Sequence, residues 1–404
     1  MPSNEPLKQA PAPAESRGAS QLILFLTVFI DLLGFGIVIP FLPMFAQKMG
    51  VGAAGVGLVL SIYSLMQLIV APILGRVSDR IGRRPVIMLG LLGSSIGYVI
   101  YGFAGSFVWL LVSRAVHGAC AGTVSTAQAY VADTTTVENR ARGMGLIGAA
   151  FGLGFVLGPA LGGILGHASL RTPVFFAAAL TFGNLIFAAT RLPESHPPEP
   201  GARLEFSHLS APILQLPRQL AQHNLARMFL IAFLMTFAFA ALEATFAMMV
   251  PHVYGYGAAG VGGLFAFAGL IQALAQGYLV GKIVEHTGEA RLLKIGLVLM
   301  VAGLAPLGSV TERGALFAML AALSIGYGFA SPSVASLISR STQHGLQGEV
   351  LGVSQSAQSL ARILGPIAGG IIYELAGPAA PYLAGAVIAA IALTITGGIE
   401  ISRD

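Results

Sequence analysis

The chain has 404 residues, of which 55% are hydrophobic and only 10% are charged, and its mean hydropathy is +0.80. Soluble globular domains carry about 25% charged residues, so this composition excludes that class and indicates a membrane protein. A single cysteine, Cys120, excludes an intrachain disulfide and a cysteine-cluster metal site.

The first twenty residues are polar and rich in Pro, Ala and Ser. They lack the small-residue cleavage site that follows the apolar core of a signal peptide. We therefore expect residues 1–20 to form a cytoplasmic tail and the first apolar segment to remain as an uncleaved membrane anchor.

Twelve apolar stretches follow, each close to the roughly 20 residues that a helix needs to cross about 30 Å of hydrocarbon. Spans 1 to 6 are predicted at 21–46, 54–75, 85–104, 107–130, 143–166 and 172–191, and spans 7 to 12 at 225–250, 259–281, 292–311, 314–337, 348–375 and 379–400. Backbone groups in lipid must form their hydrogen bonds internally, so the spans are predicted as helices. The sequence thus predicts an all-α membrane protein with six-helix halves at 21–191 and 225–404.

The 22 Lys and Arg residues test this topology, because cytoplasmic loops carry an excess of them. The termini and the loops after even-numbered spans hold seventeen: Lys8, Arg17, Arg76, Arg80, Arg83, Arg84, Arg140, Arg142, Arg191, Arg203, Arg218, Arg227, Lys282, Arg291, Lys294, Arg340 and Arg403. The other loops hold three, Lys48, Arg171 and Arg313, and two arginines lie within spans, Arg114 and Arg362. Both termini are therefore predicted to be cytoplasmic, in a multi-pass protein of the cell inner membrane, and the basic net charge does not require nucleic acid.

The two halves repeat each other, on either side of a polar linker at 192–224. "GRVSDRIG" from Gly75 matches "GKIVEHTG" from Gly281 at an offset of 206, and "GPALGG" from Gly158 matches "GPIAGG" from Gly365 at an offset of 207. Paired halves of this kind are how many transporters build alternating access around a site at the bilayer midplane.

Asp31 lies inside span 1, where a charge costs about 2.5–3.5 kcal/mol even on insertion scales. Counted at 1.5 Å per residue, Asp31 and Arg114 of span 4 lie at compatible depths near the midplane. An arginine favours the ionised carboxylate and burial favours the neutral acid. Asp31 is therefore a candidate proton carrier with Arg114 as its partner, and a static structural pair is the alternative.

Glu243 in span 7 and Arg362 in span 11 are the corresponding ionisable residues of the second half. An ionisable side chain within the membrane is a functional candidate with a partner to be named, so we predict that these two pair in proton coupling. A second proton site or a site for a cationic substrate is the alternative role of Glu243.

The loop "GRVSDRIGRRPV" between spans 2 and 3 resembles the signature of the major facilitator superfamily, G-x-x-x-D-R-x-G-R-R. The resemblance implies that Asp79 caps the start of span 11, near Gly348, when the transporter faces outward. It also implies a charge relay to the residues after span 4. The predicted gating loop comprises Gly75, Asp79, Arg80, Gly82, Arg83, Arg84, Asp133 and Arg142.

Two further stretches are similar to motifs of the same superfamily. "SRAVHGACAG" carries Arg114 and Gly118 in the R-x-x-x-G pattern of span 4. The glycine-rich motif of span 5, which in this superfamily accompanies antiporters more than importers, is matched by Gly154, Gly158, Pro159, Gly162 and Gly163. Ordinary tight helix packing is the alternative reading of those glycines.

A substrate cavity would need polar and aromatic side chains that face the interior. The candidates are Gln67, Phe237, Gln272, Gln276, Gln355 and Gln358. Each glutamine could equally form hydrogen bonds between helices, and an aromatic stripe such as that of Phe237 usually faces lipid or neighbouring helices.

Within the superfamily, "DLLGFGIVIPFLP" and "YSLMQLIVAPILGRVSDRIGRRPV" resemble the twelve-span drug–proton antiporters, particularly tetracycline exporters. Those exporters carry acidic residues in spans 3 and 9, where this chain has Gly97 and Met300, and a histidine in span 8, where it has Gln272. Glu243 and Arg362 are not part of their pattern. The resemblance therefore implies antiport, with a lipophilic or amphipathic drug as a better expectation than tetracycline.

The expected function is export of a small lipophilic molecule in exchange for protons, with the lipid bilayer as surroundings, a monomer as the default state and no cofactor. A carrier of lipids, lysolipids or a metabolite is the first alternative, and sodium coupling stays open. The chain lacks H-E-x-x-H, a cysteine cluster, a P-loop and a G-x-S-x-G elbow. The sequence thus argues against a membrane-embedded enzyme and against direct coupling to ATP.

Overall fold

The computed structural model describes residues 14–196, 223–342 and 347–398. Within these residues the chain forms twelve helical runs. Ten runs are long and apolar enough to cross a membrane, Ala380–Ile395 is a shorter apolar helix, and Glu289–Leu304 has 16 residues. The prediction of an all-α membrane protein with twelve spans is confirmed.

Each span of the first half is one helix or two consecutive helices. Span 1 comprises Ala14–Val38, a 3-10 turn at Ile39–Phe41 and Leu42–Lys48; spans 2 and 3 are Ala53–Ile81 and Arg83–Phe103; span 4 is Phe107–Cys120 and Thr123–Thr134; spans 5 and 6 are Val137–Gly166 and Thr172–Arg191. The first helix begins at Ala14, seven residues before the predicted start of span 1, because the helix extends back through the polar stretch "AESRGAS" of the predicted tail. The break in span 4 falls at Ala121 and Gly122.

The second half repeats this order. Span 7 is His223–Tyr254. Span 8 is Ala258–Leu274, continued by a π turn at Ala275–Leu279 and by Val280–Thr287. Spans 9 to 12 are Glu289–Leu304, Arg313–Arg340, Gln347–Ala376 and Ala380–Ile395. Span 9 ends seven residues before its predicted end, at turns that surround Gly308, which has a φ of +85°. Most of the predicted linker, residues 197–222, lies outside the described residues.

The bundle has two ends. The basic end is the one with the connections after spans 2, 4, 6, 8 and 10, where most of the Lys and Arg residues lie. The opposite end carries the connections after odd-numbered spans, including the turns at 49–52 and 377–379. Each half has its own apolar core, built in the first half around Tyr98, Tyr101 and Tyr130 and in the second around Phe246 and Tyr382.

The two halves approach each other closely toward the opposite end, along spans 5 and 8 as well as along spans 2 and 11. A Cβ placed on Gly262 would lie 2.6 Å from the carbonyl oxygen of Pro159, and one on Gly269 would lie 2.7 Å from that of Phe155. At these distances only glycine fits, so the backbones of the two halves are in direct contact.

Further toward the basic end, on the same faces, the halves diverge. A Cβ on Gly152 would meet Ala273 at an ordinary 3.7 Å, and one on Gly148 or Gly277 would meet no described atom within 4 Å. Among the described residues, the halves are therefore in contact at the opposite end and separated at the basic end.

Candidate functional site

Asp31 lies half-buried in span 1, about midway along the helix. It interacts electrostatically with Tyr63 of span 2 and Tyr98 of span 3. Among the described residues no Lys, Arg or His nitrogen lies within 4.0 Å of its carboxylate. Asp31 and Arg114 therefore do not form an ion pair in this conformation, and the static pair considered above is absent from it.

Arg114 is 2% exposed and finds its contacts within the first half. Its Nη1 lies 3.2 Å from Nδ1 of His117, and its guanidinium carbon lies 4.8 Å from the centre of the Tyr63 ring. Arginine only donates hydrogen bonds, so Nδ1 of His117 is the acceptor in this contact. The Nε of Arg114 has no hydrogen-bond partner among the described residues.

An aromatic cluster surrounds this arginine–histidine contact. The His117 ring lies 4.5 Å from Tyr98, 5.1 Å from Tyr63 and 6.0 Å from Phe35, all edge-on. Phe35 is four residues after Asp31 and therefore lies on the same face of span 1. Sequence reasoning missed His117, although its position three residues after Arg114 would have placed both side chains on one helix face.

Two glycines allow this cluster to form. A Cβ on Gly118, the glycine of the R-x-x-x-G pattern, would overlap the backbone of Tyr63, whose carbonyl carbon would be 2.9 Å away. A Cβ on Gly97 would lie 3.0 Å from Cβ of His117 and 3.2 Å from the Ser113 carbonyl oxygen. Span 3 therefore has no room at Gly97 for the acidic side chain that tetracycline exporters carry there.

In the second half, Glu243 and Arg362 interact electrostatically across spans 7 and 11, and Tyr327 of span 10 interacts with both. The two charged groups are not within 4.0 Å of each other. Arg362 instead donates from Nη2 to the Ser359 hydroxyl at 3.2 Å. The predicted pair is thus near in space without a direct hydrogen bond.

Tyr63 connects the two ionisable clusters. It interacts electrostatically with Arg114 and Asp31 of its own half and with Arg362 of the other. Two residues earlier on span 2, the Ser61 hydroxyl donates to the carbonyl oxygen of Ile363 at 2.5 Å. Asp31, Arg114 and Arg362 therefore surround one tyrosine at the interface between the halves.

The glycine motif of span 5 has two packing faces. Gly154 and Gly158 lie against the backbone of span 1 at Leu32 and Gly36, and Gly162 lies against Ile37. Gly163 and the Pro159 carbonyl lie against span 8 at Ala259 and Gly262. This motif therefore binds span 1, which carries Asp31, to the other half of the protein.

Arg83 is the centre of the loop between spans 2 and 3. Its Nη1 donates to Ser78 at 2.6 Å and also to Asp79, and its Nε donates to Asp133 at 2.9 Å. The side chain of Arg83 is 8% exposed. The charge relay implied by the resemblance is thus centred on Arg83 in this conformation, and Asp79 bonds within its own half.

The other predicted gating residues have different surroundings. A Cβ on Gly75 would meet no described atom within 4 Å, Gly82 has a φ of +100°, and Arg84 donates from Nη2 to the Ala189 carbonyl oxygen. Arg80 is half-buried. The side chain of Arg142 lies outside the described part of the chain.

Glu194, which follows span 6, is a partner that sequence reasoning missed. Its carboxylate accepts hydrogen bonds from the backbone N–H groups of Arg83 at 2.8 Å and Arg84 at 3.2 Å. These groups begin span 3, so Glu194 satisfies N–H groups that a helix start leaves without a partner. A side chain at Gly82 would overlap this carboxylate.

The glutamine candidates fall into two groups. Gln67 donates to the Ala121 carbonyl oxygen at 3.4 Å, an interhelical contact, and Gln358 donates within span 11 to Ser354 at 3.4 Å. Gln276 and Gln355 are exposed, and Gln272 is half-buried. Phe237 is half-buried, with its ring centre 5.9 Å from that of Phe233.

Comparison with known proteins gives a consistent picture. The model of the Major Facilitator Superfamily matches residues 24–366 and 291–397. The chain is 31% identical to the class E tetracycline resistance protein of Escherichia coli over 87% of both chains. It is 29% identical to multidrug resistance protein 1 of Bacillus subtilis (strain 168), over 89% of this chain and 91% of the relative. The crystal structure of the human organic anion transporter MFSD10 (TETRAN) matches with a TM-score of 0.71 and 28% identity, over 95% of this chain and all of that one.

Proposed function

Because the chain belongs to the major facilitator superfamily, we propose that it exports lipophilic or amphipathic drugs in exchange for protons by alternating access. The observation that carries this proposal is Asp31, a carboxyl group deep in span 1 without an ion-pair partner among the described residues. The similarity to tetracycline and multidrug resistance proteins supports a drug as the transported molecule.

A carboxyl group in this position suits proton exchange. A charged form without a counter-ion is costly inside a membrane. The halves diverge toward the basic end, and the proposal requires a wet path from Asp31 to that side. In the proposed cycle Asp31 releases its proton on that side. When the bundle reopens at the opposite end, Asp31 takes up another proton there.

We propose that the groups around Tyr63 take part in this cycle. Tyr63, which interacts electrostatically with Asp31, offers its hydroxyl to the ionised carboxylate, and Arg114 and Arg362 bring a positive charge from each half to the same tyrosine. Glu243 is the second proton-coupling residue of the proposal. Movement of the halves changes these distances and so changes which protonation state is favoured.

We propose that the basic end faces the cytoplasm, because seventeen of the 22 Lys and Arg residues belong to that side. The conformation described here is then the one that takes up substrate from the cytoplasm. The opening between the halves at the basic end and their contact at the opposite end support this assignment.

A second function, carriage of an organic anion, is favoured by one observation. Arg114 is buried, carries a fixed positive charge and has an Nε without a hydrogen-bond partner among the described residues. A carboxylate of a transported molecule would satisfy it. This function belongs to the metabolite carriers named as the alternative above.

The test uses inside-out membrane vesicles that are acidified inside, with a pH-sensitive dye that reports the gradient. Lipophilic cations, tetracyclines and amphipathic carboxylates are added separately, and vesicles without the protein serve as controls. Proton release on addition of a lipophilic cation or a tetracycline supports drug–proton antiport. Release or uptake with carboxylates alone supports the anion carrier, and no response to any compound contradicts the proposed antiport.

A further inference from the structure

A hydrogen bond between the halves joins the end of span 11 to the start of span 2, at the opposite end of the bundle. The backbone N–H of Ala54 donates to Oε1 of Glu374 at 3.1 Å. Ala54 is the second residue of span 2, and the preceding Gly52 provides no side-chain cap. Glu374 therefore satisfies an N–H group in the first turn of a helix that belongs to the other half.

Gly52 leaves room for this contact. A Cβ at that position would overlap Oε1 of Glu374 and lie 3.2 Å from its carboxylate carbon. The carboxylate thus lies directly over the start of span 2. Helix starts carry a partial positive charge, so a carboxylate is stabilising in this position.

Spans 2 and 11 remain in contact from this hydrogen bond toward the basic end. A Cβ on Gly370 would be 2.9 Å from Cα of Ala54, and one on Gly57 would be 2.7 Å from the carbonyl carbon of Pro366. The Ser61 bond to Ile363 continues the contact toward the basic end. Glu374 therefore lies at the outer edge of a continuous seam between spans 2 and 11.

We propose that Glu374 is a latch that holds the opposite end of the transporter closed and so favours the conformer open at the basic end. The inference rests on the proposed alternating access, since opening the opposite end must separate spans 2 and 11 and break this bond. The latch consists of one hydrogen bond, whose donor is the backbone N–H of Ala54 and whose acceptor is the Glu374 side chain.

Glu374 would be the counterpart of Asp79. The family resemblance implies that Asp79, at the last turn of span 2, caps the start of span 11 when the basic end is closed. Glu374, near the last turn of span 11, caps the start of span 2 when the opposite end is closed. Each of the two helices would then carry a carboxylate for the start of the other, with one contact made in each conformer.

The experiment measures the two conformers by double electron–electron resonance between pairs of spin labels in the full-length protein, with Cys120 replaced by alanine. One pair at Gln47 and Ala376 reports the opposite end, and one pair at Arg191 and His286 reports the basic end; all four positions are exposed. Glu374→Ala is expected to change the ratio of the conformers by about two- to fivefold, the range of a carboxylate at a helix start. The opposite-end distance should lengthen and the basic-end distance should shorten.

Glu312→Ala is the matched control, because Glu312 is an exposed acid at the same end that precedes span 10 of its own half. It is expected to leave both distance distributions unchanged. Glu374→Gln, which preserves the length of the side chain, is expected to shift the distributions in the same direction as Glu374→Ala. Unchanged distributions in both Glu374 variants, or an equal shift in the Glu312 variant, would overturn the latch.

The distances are measured without substrate or a proton gradient, so this test is independent of the transport assay. A shift in the Glu374 variants together with no drug–proton exchange in the wild type would support the latch and contradict the antiport. Drug–proton exchange together with unshifted distances would contradict the latch alone.

Discussion

Glu289 accepts a hydrogen bond from Arg340 at 2.7 Å, joining the start of span 9 to the end of span 10. The corresponding bond of the first half joins Arg83 to Asp133 at 2.9 Å, with the charges exchanged. Arg83 and Glu289 are separated by the same 206 residues as the repeated loops, and Asp133 and Arg340 by 207. The repeat therefore preserves the position of a clamp at the basic end while reversing its polarity.

Asp31→Asn is expected to abolish the proton release that follows addition of a transported compound to acidified vesicles. The amide cannot exchange a proton, and its size is close to that of the carboxyl group, so folding and membrane insertion should be preserved. Size-exclusion profile and yield in detergent check the folding. A response equal to that of the wild type would exclude Asp31 as the carrier and leave Glu243 as the proton site.

Gly118→Ala is expected to destabilise the protein by about 1–3 kcal/mol, the usual effect of overpacking. The added methyl group would overlap the backbone of Tyr63 and push span 2 away from span 4. Thermal unfolding followed by tryptophan fluorescence or light scattering measures the effect.

Gly183→Ala provides the control for that variant. Gly183 also lies in a membrane helix, but a Cβ there would meet no described atom within 4 Å. Since alanine favours a helix over glycine by about 1 kcal/mol, this variant should be as stable as the wild type or more so. Equal loss of stability in both variants would refute the close approach at Gly118.

Asp79→Asn is expected to lower the rate of transport severalfold while leaving the substrate concentration for half-maximal rate nearly unchanged. Its carboxylate accepts a hydrogen bond from Arg83 in this conformation, and the substitution removes the negative charge from that contact while Arg83 keeps Asp133 and Ser78. The ion pair that positions the loop is then weakened, far from the proposed substrate cavity. Glu285→Gln, at the repeated position of the second half, is the control. A raised substrate concentration for half-maximal rate in Asp79→Asn would count against a gating role.

Glu194→Ala is expected to destabilise the protein by about 0.5–2 kcal/mol, the usual effect of losing a helix cap. The start of span 3 would lose the acceptor of two backbone N–H groups. Exposure of residues 83–86 should rise in hydrogen–deuterium exchange, whereas span 9, which lies in the other half, should not change. Unaltered exchange at 83–86 would show that the cap does not stabilise the helix start.

The pKa of Glu289 lies below its ordinary value, because its own backbone N–H and the Arg340 guanidinium favour the ionised carboxylate. A carboxyl group with a lowered pKa in the folded state stabilises the protein above its ordinary pKa, and this contribution is lost as the pH falls. The melting temperature of the wild type should therefore decrease below about pH 4.5, and Glu289→Gln should decrease less over that interval. Parallel pH profiles for both proteins would contradict this assignment.

Local sequence determined most of the architecture. The length of each apolar stretch, the distribution of Lys and Arg and the spacing of glycine, proline and acidic residues predict twelve spans, the two repeated halves and the family. These features depend on hydrophobicity and charge along the chain, so they can be predicted without knowing how the helices are rotated about their axes. Even the glycine motif of span 5 could be recognised, although its two packing partners could not.

The tertiary structure decided which side chains meet. Depth along a helix made Asp31 and Arg114 compatible partners, but the rotation of spans 1 and 4 directs Arg114 to His117 and Tyr63 instead. Glu194 and Glu374 reach helix starts far away in sequence, 111 and 320 residues from their donors. Such contacts depend on helix rotation and on backbone approach at glycines, which hydrophobic periodicity cannot specify in helices that are apolar on every side.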